Sequence, residues 1–204
     1  VPTSDAQGKD VALDWYRQIR PDLVVDIGPG DGTYARLMRP TDPPADAFDH
    51  LTARYPYIGP QTAHWIGIEA WAPYVERFGL GVLYDQVFVA DARIVHWPRI
   101  ASAGIYRRTD LVIAGDVLEH LAKPDARMLL DDLTASFRNL IVSVPVLHLP
   151  QGAWEGNPFE RHVDHWTAEE LRIYLAEKTG GRVLATWTGD VLTYAWWQRN
   201  AGEG

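Results

Sequence analysis

Val24-Val-Asp-Ile-Gly-Pro-Gly-Asp-Gly32 joins a short apolar run to three glycines at alternate positions, 28, 30 and 32. The β-branched residues favour a strand. Glycine has no Cβ, so the backbone after that strand can turn sharply and come close to another group. A helical pattern follows from Tyr34 to Met38, and the same alternation of apolar run and helix continues down the chain. Apolar runs fall at Trp65–Ile68, Val87–Ala90, Leu111–Ala114 and Leu140–Val144, with helical stretches at Pro73–Phe78 and Ala126–Phe137. Short, nearly all-apolar strands alternating with helices predict a parallel sheet covered on both faces.

The ends of the chain extend this pattern. Val11, Trp15 and Ile19 are spaced four apart, which predicts an amphipathic helix over residues 8–19, ended by Pro21 and Asp22. Thr167-Ala-Glu-Glu170 predicts a helix start in which the Thr hydroxyl and the Glu carboxylate satisfy each other's free amides, opening a helix from Ala168 to Lys178. Two last strands, Arg182–Trp187 and Leu192–Gln198, are separated only by Thr188-Gly-Asp-Val191. A link that short joins antiparallel neighbours. The segment 40–64 holds Asp42-Pro-Pro44, Tyr55-Pro56 and Gly59-Pro60 around a short helical pattern at Ala47–Arg54, and reads as a Pro-rich insertion. Residues 146–166 read as a lid-like segment after the fifth strand. The expectation is a single domain over 1–204.

Bulk composition narrows the function. A chain of 204 residues, 47% hydrophobic, can bury one substantial core. The net charge of −8, with 19 scattered basic residues, weighs against a duplex nucleic-acid partner, which needs clustered Lys and Arg. With no cysteine there is neither a disulfide framework nor a thiolate metal site. No apolar stretch approaches the roughly 20 residues of a membrane helix. A cytoplasmic protein is the expectation from a chain that starts at Val1 without a signal-like apolar region.

The glycine loop limits what the crevice can hold. The dinucleotide fingerprint Gly-x-Gly-x-x-Gly requires glycine at 33, where the chain has Thr, and Asp26 and Asp31 surround the loop with negative charge that repels a pyrophosphate. A cation suits it better. Asp26-Ile-Gly-Pro-Gly-Asp-Gly32 resembles the first motif of the class I S-adenosylmethionine-dependent methyltransferases, whose cofactor carries an amino group and a sulfonium in place of phosphates. The resemblance extends over almost the whole chain. Ile66-Gly-Ile-Glu69 resembles the second strand of that family, Val87-Phe-Val-Ala-Asp91-Ala92 the third, and Asp110-Leu-Val-Ile-Ala-Gly-Asp116-Val-Leu-Glu-His120 the fourth with its "LEH" ending.

The resemblance implies a three-layer Rossmann-like sandwich, with a mostly parallel seven-stranded sheet and an antiparallel last strand. It also implies a cofactor site made by Asp26, Gly28, Pro29, Gly30, Glu69, Ala70, Asp91, Ala92, Gly115 and Asp116. Glu69 takes both ribose hydroxyls. Asp91 accepts from the adenine amino group, and the Ala92 amide reaches the ring. One spacing departs from a short βαβ link: Glu69 lies 41 residues beyond Gly28 instead of about 20. The Pro-rich insertion takes up the excess.

Methyl transfer to a hydroxyl requires alignment of the acceptor and removal of a proton. Asp116, Glu119 and His120 lie at the end of the fourth strand. Gly156-Asn-Pro-Phe-Glu160-Arg-His162-Val-Asp164-His165-Trp166 supplies a second polar cluster on the lid-like segment, and resembles the "NP-x-E-x-H" segment of sugar- and small-molecule-modifying relatives. The candidate catalytic residues are therefore His120, His162, His165 and Asp116. His162, Asp164 and His165 include metal-ligand types without a spacing motif, and no metal is expected. Trp154 and Trp166 flank the lid and are placed to stack on a ring or sugar. The expected activity is S-adenosylmethionine-dependent O-methylation of a small-molecule or sugar hydroxyl. The alternatives are a nucleic-acid base methyltransferase, which the charge disfavours, a non-catalytic cofactor-binding subunit, and a dehydrogenase, which Thr33 and the acidic loop disfavour.

Overall fold

The structure, a computed structural model, describes residues 5–39, 63–102, 109–178 and 180–201. Most of the predicted insertion, including the helical pattern at 47–54, lies outside them. Seven strands form one sheet: β1 (Leu23–Ile27), β2 (His64–Glu69), β3 (Gln86–Val89), β4 (Asp110–Gly115), β5 (Asn139–Pro145), β6 (Gly181–Thr188) and β7 (Leu192–Arg199). Their order is β3-β2-β1-β4-β5-β7-β6. The first five strands are parallel, with Val25 opposite both Ile66 and Val112, while β7 runs antiparallel to β5 and β6. This is the predicted sheet, with boundaries within about two residues of those read from the apolar runs.

The helices are α1 (Lys9–Ile19), α2 (Thr33–Met38), α3 (Ala72–Arg77), α4 (Leu80–Leu83), α5 (Trp97–Ala101), α6 (Lys123–Ser136) and α7 (Ala168–Ala176). Because side chains alternate along a strand, β1 sends Val24 to one face and Leu23, Val25 and Ile27 to the other. The first face is covered by α1, α2 and α4 through Tyr16, Met38 and Leu80, and the second by α5, α6 and α7 through Trp97, Leu130 and Leu171. Each fully buried aliphatic side chain contributes about 1.5–3 kcal/mol, so two continuous apolar layers hold the sheet. The Thr167/Glu170 capping box is present at the start of α7. The edge strand β3 departs from the all-buried pattern, since Phe88 and Val89 are exposed.

Strand β1 connects onward to β2 on one side, whereas its other neighbour, β4, leads to β5 and away. The connections thus diverge between β1 and β4. A crevice opens at the carboxyl ends of parallel strands at such a reversal, and ligands bind there in open α/β sheets. Among the described residues no helix is long and apolar enough to cross a membrane.

Candidate active site

A cavity of about 820 Å³ occupies that crevice. Its wall on the β1 and β2 side begins with the glycine loop. Gly28, Gly30 and Gly32 all have positive φ, at 62°, 55° and 81°, a conformation L side chains rarely adopt. Asp31 accepts from the Thr33 amide at 3.0 Å and the Thr33 hydroxyl at 2.5 Å, so its charge is engaged in starting α2.

Of the residues implied for the cofactor, Gly28, Pro29, Gly30, Glu69, Ala70, Asp91, Ala92, Gly115 and Asp116 all line this one cavity. Asp26 does not line it. It lies beneath the loop, buried, and accepts from the Tyr84 hydroxyl at 2.6 Å. Burial pushes its carboxyl up to about 7. Glu69, also raised to about 7 by burial, accepts from the Trp71 amide at 2.7 Å and faces the Gly30 amide. Asp91 is held below the usual carboxylate range by Arg93, which grips both of its oxygens at 2.5–3.1 Å and also reaches Asp125 at 3.3 Å. Each carboxylate oxygen has a second lone pair, so Asp91 keeps acceptor capacity.

The opposite wall joins the end of β4 to the lid. Asp116 has φ 55°, unusual for a residue with a Cβ. It is held by the Ser143 hydroxyl, which donates to its carboxylate at 2.8 Å, and by its own amide, which donates to the Ser143 carbonyl at 3.1 Å. The lid folds back over the turn at Leu118–His120: the Glu119 carbonyl accepts from the amides of Val163 at 2.7 Å and Asp164 at 3.1 Å. This brings His120 and His162 together, with ring centroids 5.0 Å apart.

Each imidazole is oriented by a backbone carbonyl. His120 Nδ1 lies 3.1 Å from the Arg161 oxygen and His162 Nδ1 lies 2.6 Å from the Leu149 oxygen. A carbonyl only accepts, so Nδ1 carries the proton in each ring, and in the neutral form Nε2 is left with its lone pair. Burial holds His120 below the usual histidine range, which favours that neutral form.

Glu119 completes the group. It is buried, its Oε2 has no hydrogen-bond partner, and burial with Asp116 nearby pushes its carboxyl well above the usual range. One ligand atom each from Glu119, His120 and His162 lie within 4.8 Å of one another. A carboxylate and two imidazoles whose other nitrogens bond to carbonyls have the chemistry of a divalent-cation site. The trio differs from the one considered in the sequence, His162 with Asp164 and His165. Asp164 instead accepts from the Lys123 and His165 amides, and His165 packs its ring on His148 at 5.5 Å and does not line the cavity. Nor does Trp166 flank an acceptor: it is 1% exposed and part of the core, against Tyr174. Trp154 is exposed and does not line the cavity, although Asn157, with which it forms an isolated bridge, does.

No protein-family model and no curated protein sequence matches the chain. The likeness to known proteins is structural. The N-terminal domain of EvdMO1, crystallised with SAH bound, matches over 96% of this chain and 82% of that chain at 14% identity, with a TM-score of 0.57. The small RNA methyltransferase HEN1 matches over 96% of this chain and 25% of its own at 15% identity, with a TM-score of 0.66. The chain has the class I methyltransferase fold. An O-methyltransferase family protein from Burkholderia thailandensis shares it over 96% of this chain and 59% of that chain, at 12% identity and a TM-score of 0.55. In a class I methyltransferase fold the cavity at the end of β1 and β4 is the one just described, and its two walls divide into a backbone-rich side and a side bearing the imidazoles.

Proposed function

We propose that the protein is an S-adenosylmethionine-dependent methyltransferase that methylates a hydroxyl of a small molecule or sugar. The observation that carries this reading is the shared cavity: the glycine loop and the carboxyl-bearing ends of β2 and β3 line one side, and the His120 and His162 imidazoles line the other. Glu69 suits the paired ribose hydroxyls, because an acceptor with two oxygens matches two adjacent donors. S-adenosylmethionine supplies an electrophilic methyl already activated by its positive sulfur. The chain's task is then to align the acceptor oxygen and take its proton, which Nε2 of His120 or His162 can do. That one structural neighbour is crystallised with SAH and another is an O-methyltransferase family protein supports the reading.

A small RNA methyltransferase among the neighbours raises an RNA hydroxyl as acceptor. The cavity lining opposes a polyanion, since among the described residues it holds eight Asp and Glu and a single Arg, already paired with two of them. A panel of hydroxylated small molecules should release S-adenosylhomocysteine when mixed with the protein and S-adenosylmethionine, whereas RNA and DNA should not. Release only with RNA would replace the acceptor assignment.

The unpaired Glu119 Oε2 favours a second arrangement of the same site, in which Glu119, His120 and His162 hold a divalent cation. Such an ion would act as a Lewis acid on the acceptor oxygen and lower its pKa. Treatment with a chelator distinguishes the two arrangements. Activity lost to the chelator and restored by Mg²⁺, Mn²⁺ or Co²⁺ assigns the cation, and activity unchanged by chelation assigns imidazole alone as base.

A further inference from the structure

The glycine loop and the ends of β2 and β3 suit the cofactor, and the His120–His162 wall suits the reacting hydroxyl of the acceptor. Glu160 belongs to neither group. It lines the cavity from the lid and is half-buried. Its carboxyl lies close enough to Glu69 on one side, and to Glu119 and His162 on the other, to interact with each through its charge. A group so placed stands between the acid suited to the ribose and the imidazoles, where an acceptor has to sit.

The lid holds this residue firmly. Asn157 Oδ1 accepts from the Phe159 amide at 2.9 Å and opens the turn Pro158–Glu160. Phe159 packs on Trp71 with ring centroids 6.5 Å apart, and Glu155 pairs with Arg77 of α3. Gln151 Nε2 donates to the Glu160 carbonyl at 2.7 Å. The Glu160 backbone is thus fixed within the lid, while the lid itself is tied to α3.

Its carboxyl is far less occupied. Gln151 Nε2 reaches Oε2 only at 3.5 Å, beyond the usual hydrogen-bond range. No described Lys or Arg pairs with it. The Tyr74 hydroxyl interacts with Glu160 and Asn157, yet it is buried without a hydrogen bond of ordinary geometry to either. A carboxylate offers about four lone-pair sites, so acceptor capacity is left for a molecule in the cavity. Burial holds the Glu160 carboxyl above its usual range. A hydroxyl both donates and accepts and can pair with the carboxyl in either protonation state, whereas an ammonium needs the anion.

This arrangement rests on the reading that the cavity hosts methyl transfer to a hydroxyl. Within it, we propose that the acceptor is polyhydroxylated and that Glu160 determines specificity by pairing with a second hydroxyl of that molecule, with Tyr74 as a positioning residue behind the carboxyl. A mono-alcohol brought to the same imidazoles leaves Glu160 without this partner.

The test measures transfer to the methyl pyranosides of glucose, galactose and mannose, each beside its monodeoxy analogues and its amino-sugar counterpart, with cofactor affinity read by calorimetry on the full chain. On wild type, removing the hydroxyl read by Glu160 should lower kcat/KM about tenfold or more. Glu160→Ala should bring the parent glycoside down to about the level of that deoxy analogue, leave the analogue itself within about twofold, and keep cofactor affinity within about twofold. Glu160→Gln, which keeps an acceptor oxygen, should retain part of the discrimination. Tyr74→Phe should raise KM for the parent about threefold or more with kcat within about twofold. Equal losses on parent and analogue would show a role only in folding, and a loss of cofactor affinity would place Glu160 on the ribose; either overturns the proposal. So does a preference for the amino sugar that Glu160→Ala abolishes, or a wild-type chain that binds S-adenosylmethionine and methylates none of these glycosides. Thermal melting checks each variant, and if Glu160→Ala fails to fold, Glu160→Gln and Tyr74→Phe decide the question. No uptake of S-adenosylmethionine by wild type is a different result and overturns the cofactor reading itself.

Discussion

The two walls of the cavity position their groups by different means. The glycine loop and the ends of β2 and β3 offer backbone and acids fixed at the tips of one rigid sheet, where Asp26 and Glu69 are buried enough to titrate near 7. The opposite wall sets imidazoles from two separate segments side by side, each turned by a backbone carbonyl, and the lid amides at 163 and 164 tie those segments together by bonding to the Glu119 carbonyl. The first wall is suited to recognising an invariant ligand. The second is suited to proton chemistry on a variable one, and a site divided in this way lets binding and turnover be damaged separately.

That separation is open to test, and the largest effect is expected on the imidazole wall. His120→Ala and His162→Ala should each lower turnover about a hundredfold or more with cofactor affinity within about twofold, read by steady-state kinetics beside calorimetry. Equal damage to both quantities would mean that the walls are not independent. Next comes Glu69→Ala. Losing a charged acceptor of two hydroxyls should weaken cofactor binding about tenfold or more, with turnover at saturating cofactor largely retained.

A smaller effect tests the acid beneath the loop. The Asp26 carboxyl rises from 3.8 to about 7 on folding, so the folded chain holds that proton more tightly than the unfolded one. Its contribution to stability is full below about pH 4, declines as pH rises through about 7, and is flat beyond. An asparagine at this position could still accept from the Tyr84 hydroxyl without carrying a charge. Asp26→Asn should therefore match wild type in thermal melting at pH 4 and exceed it at pH 8, by about 1 kcal/mol or more; a variant less stable than wild type at pH 8 would show that the buried carboxylate stabilises the fold and contradict the raised value. The smallest effect is expected from His165→Ala, whose ring packs on His148 away from the cavity. Turnover should stay within about twofold, and a loss like that of His162→Ala would put His165 in the site.

How much of each wall can be read from sequence follows from the same contrast. The β1 and β2 ends are legible because parallel strands buried on both faces appear as apolar runs, with the sheet tip at the end of each run; the β3 run is apolar too, although that edge strand is exposed. Thr167 and Glu170 are readable as a cap because the interaction spans three residues. The Glu119–His120–His162 group carries no such local signal. Glu119 and His120 stand in a recognisable ending, but their partner is selected by how the lid folds back, and periodicity does not encode that. The same limit applies to Trp166, which the sequence sets beside an acceptor and the turn into α7 carries into the core. Helices α4 and α5 are too short to build a periodic stripe.

The central claim is that the crevice between β1 and β4 takes S-adenosylmethionine. Calorimetric titration of the full chain with S-adenosylmethionine and, separately, with NAD addresses it most directly. Saturable binding of one S-adenosylmethionine per chain and no heat from NAD is the predicted result; binding of NAD, or no uptake of S-adenosylmethionine at millimolar concentration, would contradict it.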